Sequence, residues 1–192
     1  MNQTRWLTHI GILSALASVL MFLSVPLPFL PDFLRLDLAE LPALIGLFTL
    51  GPVGAIAIEG IKNLIHLVST RTFGIGEFAN FMVGSSFILG TYWGLRCQFG
   101  TWLSLALGVL VLTFSAAIVN LFVLIPLYSW ALGIPVEALV KLGQAANPQI
   151  VDLVSLIIWG IVPFNLVKGI LVASAAAVVL PRLKKWMDAE NQ

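Results

Sequence analysis

Charged residues are scarce in this chain, and their scarcity indicates the class of protein. Only 10% of the 192 residues are Asp, Glu, Lys or Arg, whereas 59% are hydrophobic. The mean hydropathy is +1.02. A soluble domain of this size carries roughly a quarter charged residues. The sequence therefore predicts an integral membrane protein whose surface lies mostly in the lipid bilayer.

Other absences narrow the function. A formal net charge of +1 provides no basic surface for nucleic acid. Cys97 is the single cysteine, so neither an internal disulfide nor a thiolate metal site is expected. The chain has no G-x-x-x-x-G-K-[ST] motif and therefore no nucleotide-driven motor of its own. Without Gly-x-Ser-x-Gly or His-Glu-x-x-His, we predict no catalytic residues, no metal and no enzyme.

Apolar segments long enough to cross a bilayer recur along the chain. A hydrocarbon core needs about 20 apolar residues per helix. We predict six such segments, with the second one short, at residues 6–25, 38–52, 53–68, 77–95, 102–126 and 152–180. The connection 129–151 is the longest, and we expect a short surface helix in its middle. The fold class is thus all-α, a polytopic membrane protein forming a single domain over residues 1–192.

Positive charges predict the orientation. With six spans, both termini lie on one side of the membrane. That side carries basic residues at positions 5, 96, 182, 184 and 185, and the other side carries them at positions 35, 71 and 141. Cytoplasmic loops hold the excess of Lys and Arg. We therefore predict that both termini are cytoplasmic.

Ionisable and amide side chains interrupt the predicted spans. An ionisable group inside a membrane is costly unless it is paired or hydrated, so it is a functional candidate. The pairs Glu59–Lys62, Glu77–Asn80 and Asn165–Lys168 are each three residues apart, so each pair shares a helix face. Asn120 lies near the outer end of the fifth span. Together they predict a polar cluster that opens to the outside.

A purely structural role is the alternative to ligand binding for these residues, and for Glu59 and Lys62 both roles stay open. These two can neutralise each other as an internal ion pair that holds the bundle together. Asn165 and Lys168 have no acid within a helical turn, which favours a ligand-binding role. Pro163 adds a backbone carbonyl that lacks its helical donor. The two histidines, His9 and His66, are interpreted as isolated anchors at the membrane interfaces.

Small residues mark one face of the first helix. Gly11 and Ala15 are four residues apart, as are Ser14 and Ser18. Such spacing lets a second helix approach closely. That second helix can belong to a partner protein or to the same bundle, and the spacing alone does not distinguish the two.

Four stretches resemble one transporter family. They are "DLAELPALIGLFTLGPVGAIAIEGIKNLIHL" (37–67), "GEFANFMVGSSFIL" (76–89), "NLFVLIPLY" (120–128) and "PFNLVKGIL" (163–171). In this order they resemble the riboflavin-specific S components of the energy-coupling factor (ECF) vitamin transporters. The likeness extends over about residues 6–180. It implies a six-helix subunit of the bacterial plasma membrane that takes up riboflavin as its transported ligand, with no cofactor.

The resemblance also implies site residues. Asn120, Asn165 and Lys168 match flavin contacts of the family, and Glu77 with Asn80 matches its acidic and amide pair. We place Leu36 and Asp37, in the loop before the second span, at the same ligand site.

Partners follow from the same resemblance. It implies a membrane coupling protein (EcfT-type) with two cytoplasmic ATPases. Gly11 and Ala15 fall where the family carries its docking strip for the coupling protein.

Riboflavin chemistry agrees with this residue set. The isoalloxazine ring has an edge of carbonyl acceptors and an N–H donor, which asparagine amides and a lysine can read. Its faces need apolar walls, for which Phe164, Phe81, Phe33 and Leu34 are candidates. The alternatives are an S component for thiamine or biotin, a membrane enzyme, or a structural scaffold subunit.

Overall fold

The computed structural model describes residues 2–27, 30, 34–70 and 72–190. Its α-helices are α1 (Gln3–Phe22), α2 (Glu40–His66), α3 (Ile75–Arg96), α4 (Gly100–Val119), α5 (Ile125–Leu132), α6 (Val136–Ala146), α7 (Leu153–Leu156) and α8 (Val162–Glu190). A 3-10 turn (Leu67–Ser69), two π turns (Asn120–Leu124 and Ile157–Ile161) and two short antiparallel strands, β1 (Val25–Pro26) and β2 (Arg35–Leu36), complete the described structure.

Helical runs account for the hydrophobicity, as predicted. Within the described part of the chain, four runs are long and apolar enough to cross a membrane, namely Gln3–Phe22, Glu40–Ser69, Gly100–Leu132 and Leu153–Leu183. The last two each continue through a π turn from one α-helix into the next. The all-α class and the membrane character of the chain are therefore confirmed. The predicted surface helix in the long connection is also present, as α6.

The helix α2 reverses direction at Gly51. This glycine has φ 83° and ψ 177°, which is non-helical backbone, and Pro52 follows it. Lys62 Nζ lies 3.1 Å from Glu40 Oε1, although 22 residues separate them. A straight helix would set those residues about 33 Å apart. The two arms of α2, residues 40–50 and 52–66, therefore form an antiparallel hairpin. The break falls at Gly51–Pro52, where the sequence predicted the end of the segment 38–52.

The hairpin gives the bundle two distinct ends. At the tip end, the Trp6 indole N–H donates to the backbone carbonyl of Leu50 at 3.3 Å. α3 (22 residues) starts beside His66 and α8 (29 residues) contacts Glu40 close to its own start, both at the opposite end from Leu50, so both helices finish at the tip end. At the other end, called the open end below, the Phe22 ring lies 5.1 Å from the His66 ring.

Small residues allow α3 and α4 to pack closely. A methyl group added at Gly94 would lie 2.7 Å from the Ser104 Cα. One added at Gly108 would overlap the Thr91 hydroxyl and come within 2.9 Å of the Phe87 ring. In a membrane, helix association depends on van der Waals contact of this kind rather than on apolar burial from water. The glycines therefore hold the two helices at their observed distance.

A proline follows each of the two π turns at the same position. The backbone N–H of Ile125 donates to Asn120 five residues earlier, and that of Val162 donates to Ile157. Pro126 and Pro163 follow immediately after these donors. A helical proline removes one N–H and clashes with the carbonyl four residues before it. The wider π turn accommodates that clash, and such turns occur often at functional sites.

We expect Gly108→Ala to destabilise the protein and Gly11→Ala not to. The added methyl at position 108 meets Thr91 and Phe87, whereas position 11 has open space around it. Overpacking of this kind costs about 1–3 kcal/mol. Thermal unfolding of both variants in the same detergent measures the difference. Equal melting temperatures would contradict the close packing of α3 on α4.

Candidate functional site

A cavity of about 1060 Å³ opens at the open end of the bundle. Residues from α1, the loop before α2, both ends of α2, the turn that follows it, α3, the long helix 100–132, α6 and α8 line it. Ligand sites of small molecules have volumes of about 300–1,000 Å³. The cavity is therefore large enough for a vitamin-sized ligand.

Six of the seven predicted ligand residues line this cavity. They are Asp37, Glu77, Asn80, Asn120, Asn165 and Lys168. The seventh, Leu36, pairs with Val25 in the two-stranded ladder and packs against the apolar cluster that contains Leu34 and Phe164. Leu36 is not among the described residues that line the cavity, so its contact with a ligand stays a prediction.

The predicted apolar walls are present in part. Leu34 and Phe164 line the cavity and are 8% and 6% exposed. Phe81 is not among the lining residues of the described chain; its ring lies beside Gly60 on α2. Phe33 falls outside the described residues. Leu34 and Phe164 thus remain as the candidate walls.

Two asparagines are held by their own helices beside the π turns. Asn120 Nδ2 donates to the backbone carbonyl of Ala116 at 2.8 Å, and Asn165 Nδ2 donates to that of Ile161 at 2.8 Å. Each bond engages one of the two amide hydrogens. The second N–H and the carbonyl oxygen of each side chain have no protein partner in the described structure. These groups provide one donor and one acceptor per asparagine for a ligand.

Asn80 contributes a further unsatisfied group. Its Oδ1 is buried and has no hydrogen-bond partner among the described residues. Leaving a buried acceptor unpaired costs about 1–3 kcal/mol. A hydroxyl donor in the cavity would remove that cost.

Lys168 has two acidic partners that come from distant parts of the chain. Its Nζ lies 3.1 Å from Asp37 Oδ2 and 3.0 Å from Glu40 Oε1. Lys168 therefore has counter-ions although no acid lies within one helical turn of it, because Asp37 is 131 residues away in sequence. Its ligand-binding role stays a prediction. An ammonium has three donors, so one N–H remains for a ligand.

Glu40 connects Lys168 to a second buried lysine. The same Oε1 accepts from Lys62 Nζ at 3.1 Å, and Lys62 also lies 2.9 Å from Glu59. The side chains of Lys62 and Glu59 are 0% exposed and do not line the cavity. The internal ion pair considered for Glu59 and Lys62 is thus present. We call Asp37, Glu40, Glu59, Lys62 and Lys168 the ion network.

A second polar cluster surrounds Glu77 at the start of α3. His66 Nδ1 lies 2.9 Å from Glu77 Oε1, and the hydroxyls of Thr70 and Thr72 donate to Oε2 at 2.8 Å and 3.3 Å. The interpretation of His66 as an isolated interfacial anchor is therefore wrong. The end of α2 and the following turn orient the carboxylate toward the cavity.

Sequence reasoning missed several residues that line the cavity. Glu40, His66, Thr72 and Tyr128 all contribute to its wall. For Glu40 a signal existed, because it lies three residues after Asp37, the same spacing as the three pairs that were identified. For His66 no local signal existed, since its partner is 11 residues away across a turn.

The two small-residue strips of α1 face different ways. Ser14 and Ser18 are 1% and 4% exposed, and they pack inside the bundle. Gly11 and Ala15 are exposed, and a methyl group added at Gly11 would have no other atom within 4 Å. Only the Gly11–Ala15 strip is available to a helix from outside.

The sequence as a whole matches a known family. The family model described as "ECF transporter, substrate-specific component" matches residues 5–180. The chain belongs to this family. It is accordingly a multi-pass membrane transport subunit and not an enzyme.

Individual relatives match over nearly their full length. The chain is 36% identical to "Riboflavin transporter RibU" of Staphylococcus aureus, covering 97% of this chain and 94% of the relative. It is 34% identical to "Riboflavin transporter FmnP" of Bacillus subtilis, covering 98% and 97%. A solved structure titled "Structure and mechanism of the S component of a bacterial ECF transporter" superposes with a TM-score of 0.78 at 32% identity, covering 97% of this chain and 99% of that one.

We expect Glu40→Gln to destabilise the ligand-free protein. The substitution removes the carboxylate that both Lys62 and Lys168 contact, and each buried ammonium keeps one acid fewer. Breaking a buried ion pair costs on the order of 3 kcal/mol. Glu137→Gln, on the exposed side of α6, is the matched control and should change little. Unfolding in detergent measures both; an unchanged Glu40→Gln variant would mean that the ion network does not stabilise the fold.

Proposed function

We propose that this protein is the riboflavin-binding S component of an ECF-type ABC transporter. It captures riboflavin from outside the cell and releases it inward when an ATPase module acts on it. The observation that carries the proposal is the cavity. Beside its apolar walls, the amides of Asn120 and Asn165 each keep one N–H and the carbonyl oxygen for a ligand, and the ammonium of Lys168 keeps one N–H. The names of the relatives, both riboflavin transporters, support the same substrate.

In this proposal the protein recognises the isoalloxazine ring through hydrogen bonds to the polar edge of the ring. Asn120 and Asn165 each offer a donor and an acceptor, which complement the N–H and carbonyl groups of that edge. Lys168 donates its remaining N–H to a ring carbonyl, a charge-assisted bond that is stronger than a neutral one. A ligand without this edge leaves buried polar groups unpaired, which provides selectivity.

The ribityl chain meets the second polar cluster. Glu77 and Asn80 both line the cavity, and Asn80 Oδ1 lacks a partner in the described structure. Hydroxyl groups can donate to both side chains. Leu34 and Phe164 provide the apolar contact for the ring faces.

The membrane topology we propose has six spans with both termini in the cytoplasm. The arms of α2 count as two of the six, and the cavity then opens outward. Two observations support this orientation. α1 starts and α8 finishes at the tip end, and Arg5, Arg96 and Arg182 lie toward that end. Positive residues favour the cytoplasmic side.

The partners in this proposal are a membrane coupling protein (EcfT-type) and two cytoplasmic ATPases. Gly11 and Ala15 form the docking strip, because they are exposed and small. They lie near the middle of α1 on its exposed face, and neither is among the described residues that line the cavity. Ligand binding and partner docking therefore use separate surfaces.

Riboflavin titration of the purified protein tests the function. We expect the wild type to bind riboflavin near one to one, and Asn165→Leu or Lys168→Met to weaken binding at least about tenfold, or 1.4 kcal/mol. Each substitution removes hydrogen bonds that the polar edge needs. Calorimetry in detergent measures the affinities, and Gly11→Leu is the control on a surface remote from the cavity.

Competition distinguishes this function from that of a different vitamin carrier. Thiamine and biotin are titrated against the same preparation. Binding of either one in place of riboflavin would reject the proposed substrate while leaving the family assignment intact. Wild-type affinity in both Asn165→Leu and Lys168→Met would reject the site.

Leucine substitutions on α1 test the docking surface. Gly11→Leu and Ala15→Leu should abolish uptake and co-purification of the coupling protein while leaving riboflavin affinity nearly unchanged, because leucine keeps a partner helix at a distance. Ser14→Leu is the matched comparison on the buried strip, and it should impair folding itself. If Gly11→Leu retains both uptake and the partner, the strip is not the docking surface.

A further inference from the structure

Lys62 is a buried charge that does not contact the cavity. Its side chain is 0% exposed, and it is not among the described residues that line the cavity. Removing an ammonium from water costs several kcal/mol, and well-packed apolar residues often replace buried ion pairs without loss of stability. Stability alone therefore does not account for an ammonium at this position.

The geometry connects Lys62 to the ligand site through a single oxygen. Glu40 Oε1 accepts from Lys62 Nζ at 3.1 Å and lies 3.0 Å from Lys168 Nζ. The negative charge on that carboxylate is shared between an ammonium that faces the cavity and one that does not. If the ion pair between Lys62 and Glu40 weakens, the ion pair between Glu40 and Lys168 becomes stronger, because the two ammoniums compete for the same carboxylate oxygen.

Packing keeps Lys62 in place. Its other partner is Glu59, at 2.9 Å on the preceding turn of the same helix. The Glu59 carboxylate lies against the backbone of Gly84 on α3, where a methyl group on Gly84 would overlap it. Lys62 is thus held between a carboxylate wedged against α3 and the carboxylate that contacts Lys168.

The charge balance of the ion network shows what Lys62 contributes. Three carboxylates and two ammoniums give the network a formal charge of −1. Without Lys62 the charge becomes −2, and Lys168 is the single ammonium left facing three carboxylates. Electrostatic attraction is strong in a buried site of low dielectric. Asp37 and Glu40 would then hold the Lys168 ammonium more tightly and leave less of it for the ligand.

We propose that Lys62 is a positioning residue for ligand binding, which engages Glu40 so that Lys168 can donate an N–H to the ligand carbonyl. This inference rests on the proposed function. Lys62 itself touches no ligand and acts through Glu40 alone. The role differs from general stabilisation because it depends on the charge of the network and not on the presence of a lysine.

A double-mutant cycle with Glu59 tests this charge dependence. Lys62→Met changes the formal charge to −2 and should weaken riboflavin binding at least about tenfold. Lys62→Met combined with Glu59→Gln returns the charge to −1 and should restore the affinity to within about threefold of the wild type. Glu59→Gln alone leaves Lys62 entirely to Glu40, and its affinity should equal or exceed that of the wild type. Cycles of this kind isolate the coupling between neighbouring residues.

A spectroscopic signature separates positioning from a structural role. The ring carbonyls of bound, isotope-labelled riboflavin are followed by difference infrared spectroscopy. Loss of the Lys168 donor shifts the band to higher frequency, so Lys62→Met should shift it in the same direction as Lys168→Met. The double variant should restore the wild-type band. Thr91→Val, a buried and isosteric change away from the cavity, is the control and should leave the band and the affinity unchanged.

Several outcomes would overturn the inference. Wild-type affinity in Lys62→Met contradicts it, and so does weaker binding without a carbonyl shift. If Lys62→Met does not fold, Glu59→Gln and the double variant test the inference. A tenfold loss of riboflavin affinity in either of them contradicts the charge argument. Wild-type protein that binds no riboflavin rejects the proposed function and this inference together, whereas binding by the wild type with an unaffected Lys62→Met rejects the inference alone.

Discussion

The carboxylate of Glu40 joins the parts of this protein that bind and the parts that hold the fold together. Glu40 is the first residue of the α2 hairpin. Its carboxylate contacts Lys62, on the second arm of the hairpin, and Lys168, on α8. A buried carboxylate is costly alone and tolerable with two ammoniums. The distance between α8 and the hairpin therefore depends on this group. The same group determines how much of Lys168 is available at the cavity.

The two asparagines of the site depend on a different local constraint. Pro126 and Pro163 each follow a π turn, and these turns lie next to Asn120 and Asn165. The prolines impose the irregular backbone, and each asparagine amide bonds a carbonyl of its own helix. Both π turns thus lie beside an asparagine that faces the cavity. Irregular backbone at membrane depth is tolerated where it lines a cavity.

The exposed and buried strips of α1 separate docking from folding. Ser14 and Ser18 are buried in the bundle, while Gly11 and Ala15 remain on its surface. On the other side of the bundle, Gly94 and Gly108 hold α3 against α4. Small residues therefore serve packing inside the bundle and, in our proposal, recognition outside it. A bulky side chain has a different consequence at each of these places.

Sequence alone determined the class of protein, the break at Gly51–Pro52 and six of the polar residues that line the cavity. The class follows from the length of the hydrophobic segments. The break follows from a Gly-Pro pair between two segments, and four of the six residues follow from polar pairs three residues apart on one helix face. The tertiary structure decided which charged side chains pair with each other. Lys168 meets Asp37 across 131 residues and Lys62 meets Glu40 across 22, and which of the two small-residue strips is buried depends on how α1 packs. Local spacing shows only neighbours on one helix, whereas contacts between helices arise from the packing of the whole bundle.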